Sequence, residues 1–366
     1  MDASASGAKR WLVLVVLVLL ASLACAAVGL PSPALFGALL AGVAVALGTT
    51  WRLAPPGPAV SGAQGVTGVA IGAYVQSSTI SEVADHAVAI VAVTLATLLL
   101  TVVAGLVLAR ISNLDRATAA FGMIAGGAAG IIAAADELGA DNRLVAVLQY
   151  LRVLVILVLM PVVTSVVFPG AHSDASRIAG HAALSAPDLV LFLGLSLVGG
   201  VLLARVVRLP AGWLLGPMLV AAALAVAGAP FAGPIPDWLQ QPAFAAIGVQ
   251  VGLRFTIESL RAAGRALLPG LAMIVALLVT SALLGLALAP LAHVSKLDAY
   301  LATTPGGLYA VLATAVGSGA NTTFVLALQV LRLFVMLLAA PLLARWLAAR
   351  GRTRGGLVAT EEASEV

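Results

Sequence analysis

Hydrophobic positions along the chain gather into twelve apolar segments, near 11–30, 33–49, 58–78, 87–109, 117–137, 143–168, 187–206, 212–229, 238–256, 266–291, 299–318 and 321–347. Most have the length of a membrane helix, since a bilayer core of about 30 Å takes about 20 apolar residues. Two segments carry a charge where this pattern predicts none. Leu148 to Pro161 reads LQYLRVLVILVLMP, with Gln149 and Arg152 three residues apart on one helical face. Leu328 to Pro341 reads LQVLRLFVMLLAAP, with Gln329 and Arg332 at the same spacing and the same nine-residue gap from arginine to proline.

That recurrence extends over the whole chain. Leu30-Pro31 matches Leu209-Pro210, and Gly37 falls on Gly216. Gln64, Ile71, Gly72 and Glu82 meet Gln240, Ile247, Gly248 and Glu258, and the run from Ser112 to Asp115 meets Ser295 to Asp298. Gly126-Gly127 meets Gly306-Gly307, and Gly139 meets Gly319. The offset drifts only between 176 and 183, so the chain is read as a duplication: one membrane repeat over 11–168, a second over 187–347, and a charged, disordered tail over 348–366. The first apolar run, Trp11 to Leu30, has a signal-like Ala24-Cys25-Ala26. Its counterpart recurs before the second Leu-Pro, which favours a retained helix.

The fifth segment of each repeat differs from the rest. FGMIAGGAAGIIAAADELGADN and TTPGGLYAVLATAVGSGAN are rich in glycine and small residues. Glycine and proline weaken a helix interior, and broken backbone at membrane depth survives only inside protein or beside a water-filled cavity. These segments are expected to be re-entrant hairpins or broken helices, with the double glycine near the tip. Charge supports this. Of the 19 Lys and Arg, 17 remain once Arg152 and Arg332 are set aside. If all twelve segments span, 11 fall inside and 6 outside; if the fifth of each repeat re-enters, only Arg177 and Lys296 fall outside. The positive-inside rule prefers the second arrangement. The expected fold is an all-α polytopic membrane protein. It has about ten transmembrane helices and two re-entrant glycine-rich segments, in two inverted repeats with both termini cytoplasmic. The expected location is the inner (plasma) membrane.

Composition narrows the chemistry. The chain is 62% hydrophobic and 9% charged, against about 25% charged in soluble domains, which makes the lipid bilayer its solvent. One cysteine, Cys25, excludes a disulfide framework and a cysteine-based metal site. Arg152 lies about 13 Å into its helix and Arg332 about 16 Å, at 1.5 Å per residue. Both are near the midplane, where an arginine is costly and marks a functional site by default. An inverted repeat brings equivalent residues together. The candidate site is therefore Gln149, Arg152, Gln329 and Arg332 with the tips Gly126, Gly127, Gly306 and Gly307. Arginine's planar fork suits a carboxylate, and glycine-rich backbone also favours anions. The alternative is structural: each arginine ties down its hairpin through orphan carbonyls, or pairs with Asp136, Glu137 or Asp141. At an offset of 180 those acids become Val316, Gly317 and Asn321, so Arg332 has no acid in its own hairpin. Asp115 and Asp298 either cap the helices that follow or carry a coupling proton. Gln76, Ser77, Ser78 and Thr79 either line a vestibule or end a helix in solvent. Arg254, Arg261 and Arg265 mark the cytoplasmic face.

The order Leu-Pro, Ile-Gly, double glycine, Leu-Gln-x-Leu-Arg and Pro, repeated from about Trp11 to about Trp346, resembles the membrane AbrB-type duplication family. Its members are often labelled ammonia monooxygenases or AbrB family transcriptional regulators. The plan of hairpins in inverted repeats is also similar to that of the citrate and bile-acid carrier superfamily, a likeness of fold alone. Copper or iron oxygenases need clustered ligands. The four histidines, His86, His172, His181 and His293, are scattered, and none sits in mid-span. An enzyme, a cofactor and a metal are therefore not expected. Nor is a nucleic-acid partner, because no soluble segment is long enough for a DNA-binding domain. No P-loop motif is present. The expected activity is secondary transport of a small organic anion by alternating access, coupled to protons or sodium. A homodimer is compatible with it. The alternative is a non-transporting membrane regulator that affects gene expression indirectly.

Overall fold

The computed structural model describes residues 2–30, 32–75, 87–112, 114–124, 135, 140–168, 184–209, 211–255, 257, 261, 264–336 and 339. These residues form helices and connecting turns, with no strand among them. Along the chain the helices are α1 (Asp2–Ala27), α2 (Pro33–Gly48), α3 (Gly57–Gly72), α4 (Ala87–Ser112), α5 (Arg116–Met123), α6 (Asn142–Val167) and α7 (Ala186–Val207). After them come α8 (Gly212–Val226), α9 (Asp237–Gly252), α10 (Leu267–Leu291), α11 (Lys296–Thr303) and α12 (Leu308–Gly317), then α13 (Thr322–Met336). Five of them, Gly7–Ala27 of α1 with α4, α6, α7 and α10, are long and apolar enough to cross a membrane, and α2, α8 and α13 are shorter apolar helices. The tail 348–366 lies outside the described residues.

Boundaries repeat at a spacing of 179 or 180 positions. Helix α3 follows Pro56 and α9 follows Pro236, each N-cap being 180 positions from the other. Helices α5 and α11 start at Arg116 and Lys296, again 180 apart. Ser32 before α2 and Ala211 before α8 both take left-handed backbone, with φ of 51° and 50°. This spacing corrects two registers read from the sequence. Gln64 does not stand opposite Gln240, because the helices align Gly68 with Gly248 and Gly72 with Gly252. Asp115 corresponds in place to Ser295, each being the N-cap residue of its helix.

Packing between the halves is reciprocal. Helix α2 lies on α9, and α3 lies on α8. The contacts depend on small residues, as helix pairs in lipid generally do. A Cβ on Gly68 would meet the Leu214 carbonyl oxygen at 2.4 Å, and one on Gly248 would meet that of Leu35 at 2.3 Å. Gly72 stands in the same way against Met218 and Gly252 against Leu39. The two contacts form one buried core with the segment 297–328, which includes Phe244, Ile247, Leu301, Val311 and Phe324.

The fifth segment of the second half is a broken helix. In the second half α11 ends at Thr303, residues 304–307 are non-helical, and α12 begins at Leu308, so Gly306 and Gly307 lie in the break. The backbone N–H of Asn321 donates to Asp298 Oδ1 at 2.7 Å. The chain therefore leaves Asp298, runs about 12 Å along α11 and is back at Asp298 by Asn321. In the first half Asp141 N–H donates to Thr118 Oγ1 at 2.9 Å, at the corresponding positions. Both segments start and end at one level. Gly126, Gly127, Asp136, Glu137 and Gln76 to Thr79 lie outside the described residues.

The close approaches define a test. Gly68→Ala and Gly248→Ala are each expected to cost about 1–3 kcal/mol through overpacking. Gly62→Ala, where a Cβ meets nothing within 4 Å, is expected to leave stability unchanged or raised. Thermal unfolding of the three variants in one detergent measures the difference.

Candidate functional site

A helix leaves its last four carbonyls without an intrahelical partner. At a break inside the membrane no water reaches them, and each unsatisfied group costs several kcal/mol. Both candidate Gln and Arg pairs lie at helix ends buried inside the protein, at Met123 and at Thr303. Gln329 Nε2 donates to the Leu301 carbonyl at 2.8 Å and to those of Ala302 and Thr304 at 3.2 Å. Arg332 Nη1 donates to the Thr304 carbonyl at 2.6 Å, and Nη2 donates to Gln329 Oε1. Corresponding bonds recur in the first half. Gln149 Nε2 donates to the Phe121 and Ile124 carbonyls at 2.6 and 2.8 Å, Arg152 Nη1 to that of Met123 at 3.1 Å, and Arg152 Nη2 to Gln149 Oε1 at 2.6 Å. Glutamine and arginine thus make a two-residue clamp on the carbonyl end of α5 and of α11. The spacing i, i+3 on α6 and α13 is what lets one side chain brace the other.

Two residues add to the second clamp without having drawn notice in the sequence. Thr303 Oγ1 donates to the Ala299 carbonyl at 2.9 Å, and Thr304 Oγ1 donates to that of Tyr300 at 2.7 Å. Their signal was the Thr-Thr pair just before Pro305, where hydroxyls can reach the last turn. Positions 123 and 124 of the first half are Met and Ile, which offer no such donor.

Helix starts around the hairpins are capped within the protein. Asp115 Oδ2 accepts from the N–H groups of Ala117 and Thr118 at 3.0 and 3.2 Å. Asp298 shares a capping box with Ser295 and also holds the N–H of Asn321. Of the two readings open for these aspartates, the geometry gives both a capping part.

The described site residues converge. Gln149 is 0% exposed, Arg152 4%, Gln329 1% and Arg332 5%. A Cβ on Gly306 would meet Ile156 Cγ2 at 2.8 Å, and one on Gly307 would meet Val153 Cγ1 at 3.5 Å. The tip of the second hairpin therefore rests on α6 just past Arg152. Expectation and geometry differ in one respect: the polar heads turn to the carbonyl ends of the broken helices, not into an open cavity. Each guanidinium keeps a buried Nε without a hydrogen-bond partner among the described residues. Their partners there are carbonyl and amide oxygens, with no carboxylate.

The break has an electrical sense. The negative end of α11 is covered by a cation and an amide, while α12 starts at Gly307 with no side-chain cap. A helix N-terminus carries about half a positive charge. The break thus sets an uncapped helix N-terminus beside a buried guanidinium, and helix N-termini of this kind can hold an anion.

Among the described residues, these helices and this site define a membrane-like helical protein with a clamped helix end in each half. The family model described as "Transition state regulatory protein AbrB" matches residues 34–348, and the chain belongs to that family. It is 37% identical over 342 residues to "Putative regulator AbrB" of Escherichia coli (strain K12), covering 92% of this chain and 96% of that protein. It is 27% identical over 290 residues to "Uncharacterized protein YhjN" of Bacillus subtilis (strain 168), covering 76% of each.

The clamp predicts coupling. Gln329→Leu and Arg332→Met should each destabilise by about 1–3 kcal/mol, since each leaves buried carbonyls unmet. The double variant should fall short of their sum by at least about 0.5 kcal/mol, measured by thermal unfolding of all four proteins.

Proposed function

We propose that the chain is a secondary transporter of a small organic anion, working by alternating access and driven by a proton or sodium gradient. It is read as about ten transmembrane helices and two re-entrant hairpins, in two inverted repeats over 11–168 and 187–347. The observation that carries this reading is the electrical sense of the break: clamped at its carbonyl end and uncapped at Gly307, beside two buried arginines that face no carboxylate among the described residues. Buried charges of one sign call for a counter-charge, and an anionic substrate supplies it. Discontinuous helices whose N-termini point at anionic groups are a recurrent transporter device. The reciprocal packing of α2 on α9 and α3 on α8 supports the pairing of inverted halves. The proposed anion ligands are Arg152, Arg332, Gln149 and Gln329 with the backbone at Gly306-Gly307 and Gly126-Gly127.

A second reading is a membrane regulator without transport, acting on gene expression through a partner. The word "regulator" in the printed name of the Escherichia coli relative favours it.

Purified chain in proteoliposomes, tested against labelled mono- and dicarboxylates under proton and sodium gradients, separates the two. The transport reading expects saturable uptake that falls at least tenfold in Arg332→Gln. Unchanged uptake in that variant would remove Arg332 from the site, and absence of uptake for the whole panel would favour the regulator. The inverted arrangement has its own check in a chain lacking Cys25. Single cysteines at Arg208 and Lys296, both exposed, should label from opposite faces, and labelling from one face would refute it.

A further inference from the structure

A second polar site lies away from the clamps. A cavity of about 440 Å³ is lined by Ser61, Gln64, Gln250 and Arg254, with walls that include Leu53, Val60 and Leu253. That volume falls within the range of small-molecule pockets, about 300–1,000 Å³. Its one cation is held in place. Arg254 Nη1 donates to Tyr150 Oη at 2.6 Å, and the guanidinium carbon lies 5.0 Å from the centre of the Tyr150 ring. Stacking of this kind fixes arginine's planar fork while leaving further N–H donors for a ligand. Tyr150 stands between Gln149 and Arg152 on α6.

The place 180 positions away has the opposite character. Tyr74 stands where Arg254 does, Asp237 where Gly57 does, and Val330 where Tyr150 does. On the inverted reading these two places lie on opposite membrane faces. One presents a fixed cation, the other an acid.

We infer that the Arg254 cavity is a recruiting site for organic carboxylates with an apolar body. It serves the face that the charge count reads as cytoplasmic, and Asp237 makes the other face unfavourable to the same ligand. Arg254 takes the carboxylate, Gln64 and Gln250 offer amide donors, and the leucine and valine walls take the apolar part. The site rests on the transport reading, which it extends by naming a substrate class and the face of capture.

Benzoate serves as the probe and benzamide as its neutral counterpart, titrated by saturation-transfer NMR against the full chain in phosphatidylcholine nanodiscs. Benzoate is expected to bind, and benzamide at least tenfold more weakly. Arg254→Gln and Gly57→Asp should each weaken benzoate at least tenfold with an unchanged unfolding midpoint. Gly57→Ala, whose Cβ meets nothing within 4 Å, should bind as the parent does. Failure of the parent to bind benzoate, equal binding of benzamide, or full binding by Arg254→Gln would each overturn the inference. Benzoate binding abolished by phosphatidylglycerol in the nanodisc would assign the cavity to lipid phosphate and overturn it too. Uptake measured on the same proteins separates the two claims. Arg254-dependent binding without uptake of any anion would sustain this site and sink the transport reading. Uptake with no Arg254-dependent binding would do the reverse.

Discussion

A peptide carbonyl in hydrocarbon must find a donor, because no water is there to supply one. A helix that stops at mid-membrane presents four such carbonyls at once. The rest of this structure depends on how they are met. Glutamine brings an N–H₂ group that reaches several carbonyl oxygens together, and arginine brings a charge that answers the negative end of the helix dipole. Arg332 Nη2 and Gln329 Oε1 bond to each other, so neither side chain can leave its carbonyl without breaking a second bond. An arginine at this depth would be costly by itself. Set against the end of α11 or α5, it offsets a cost the fold has already incurred.

The clamps account for why the helix ends are tolerated, and the glycine contacts account for why the second hairpin lies against α6. Because α2 on α9 and α3 on α8 approach to backbone contact through Gly68, Gly72, Gly248 and Gly252, the two halves form one core. The second hairpin is packed into it and its tip reaches α6 at Val153 and Ile156. At the second break a guanidinium closes the carbonyl end while the N-terminal end at Gly307 has no side-chain cap. That asymmetry is the physical basis of the transport reading.

Much of this was legible in the sequence for reasons that can be named. Arginine at about 13–16 Å depth has few explanations, so Arg152 and Arg332 stood out, and the double glycine with Pro305 marked the second break. Register was harder. Leucine, glycine and alanine recur at every helical turn, so matching identities can slip by one turn, as Gln64 against Gln240 did. Asp115 against Asp298 slipped for another reason. A capping oxygen can come from the N-cap or from the residue three further on, and the first half uses Asp115 where the second uses Ser295 together with Asp298. The direction in which the arginines point was not legible either. A guanidinium satisfies a helix end and a carboxylate with the same donors, and only the fold shows that Nη1 is spent on a backbone carbonyl and Nη2 on the glutamine Oε1. Thr303 and Thr304 passed unnoticed because hydroxyls in the last turn of a helix are common and carry no charge to draw attention.

The central claim is that the Gln329 and Arg332 clamp holds the broken hairpin in place while the glycine-packed core stands independently of it. Amide hydrogen exchange of the full chain in nanodiscs, comparing the parent with Arg332→Gln, tests this most directly, because local opening appears peptide by peptide. The account predicts faster exchange across 296–321, with protection retained in α2 and α9. Unchanged exchange in 296–321, or an equal loss of protection throughout the chain, would contradict it.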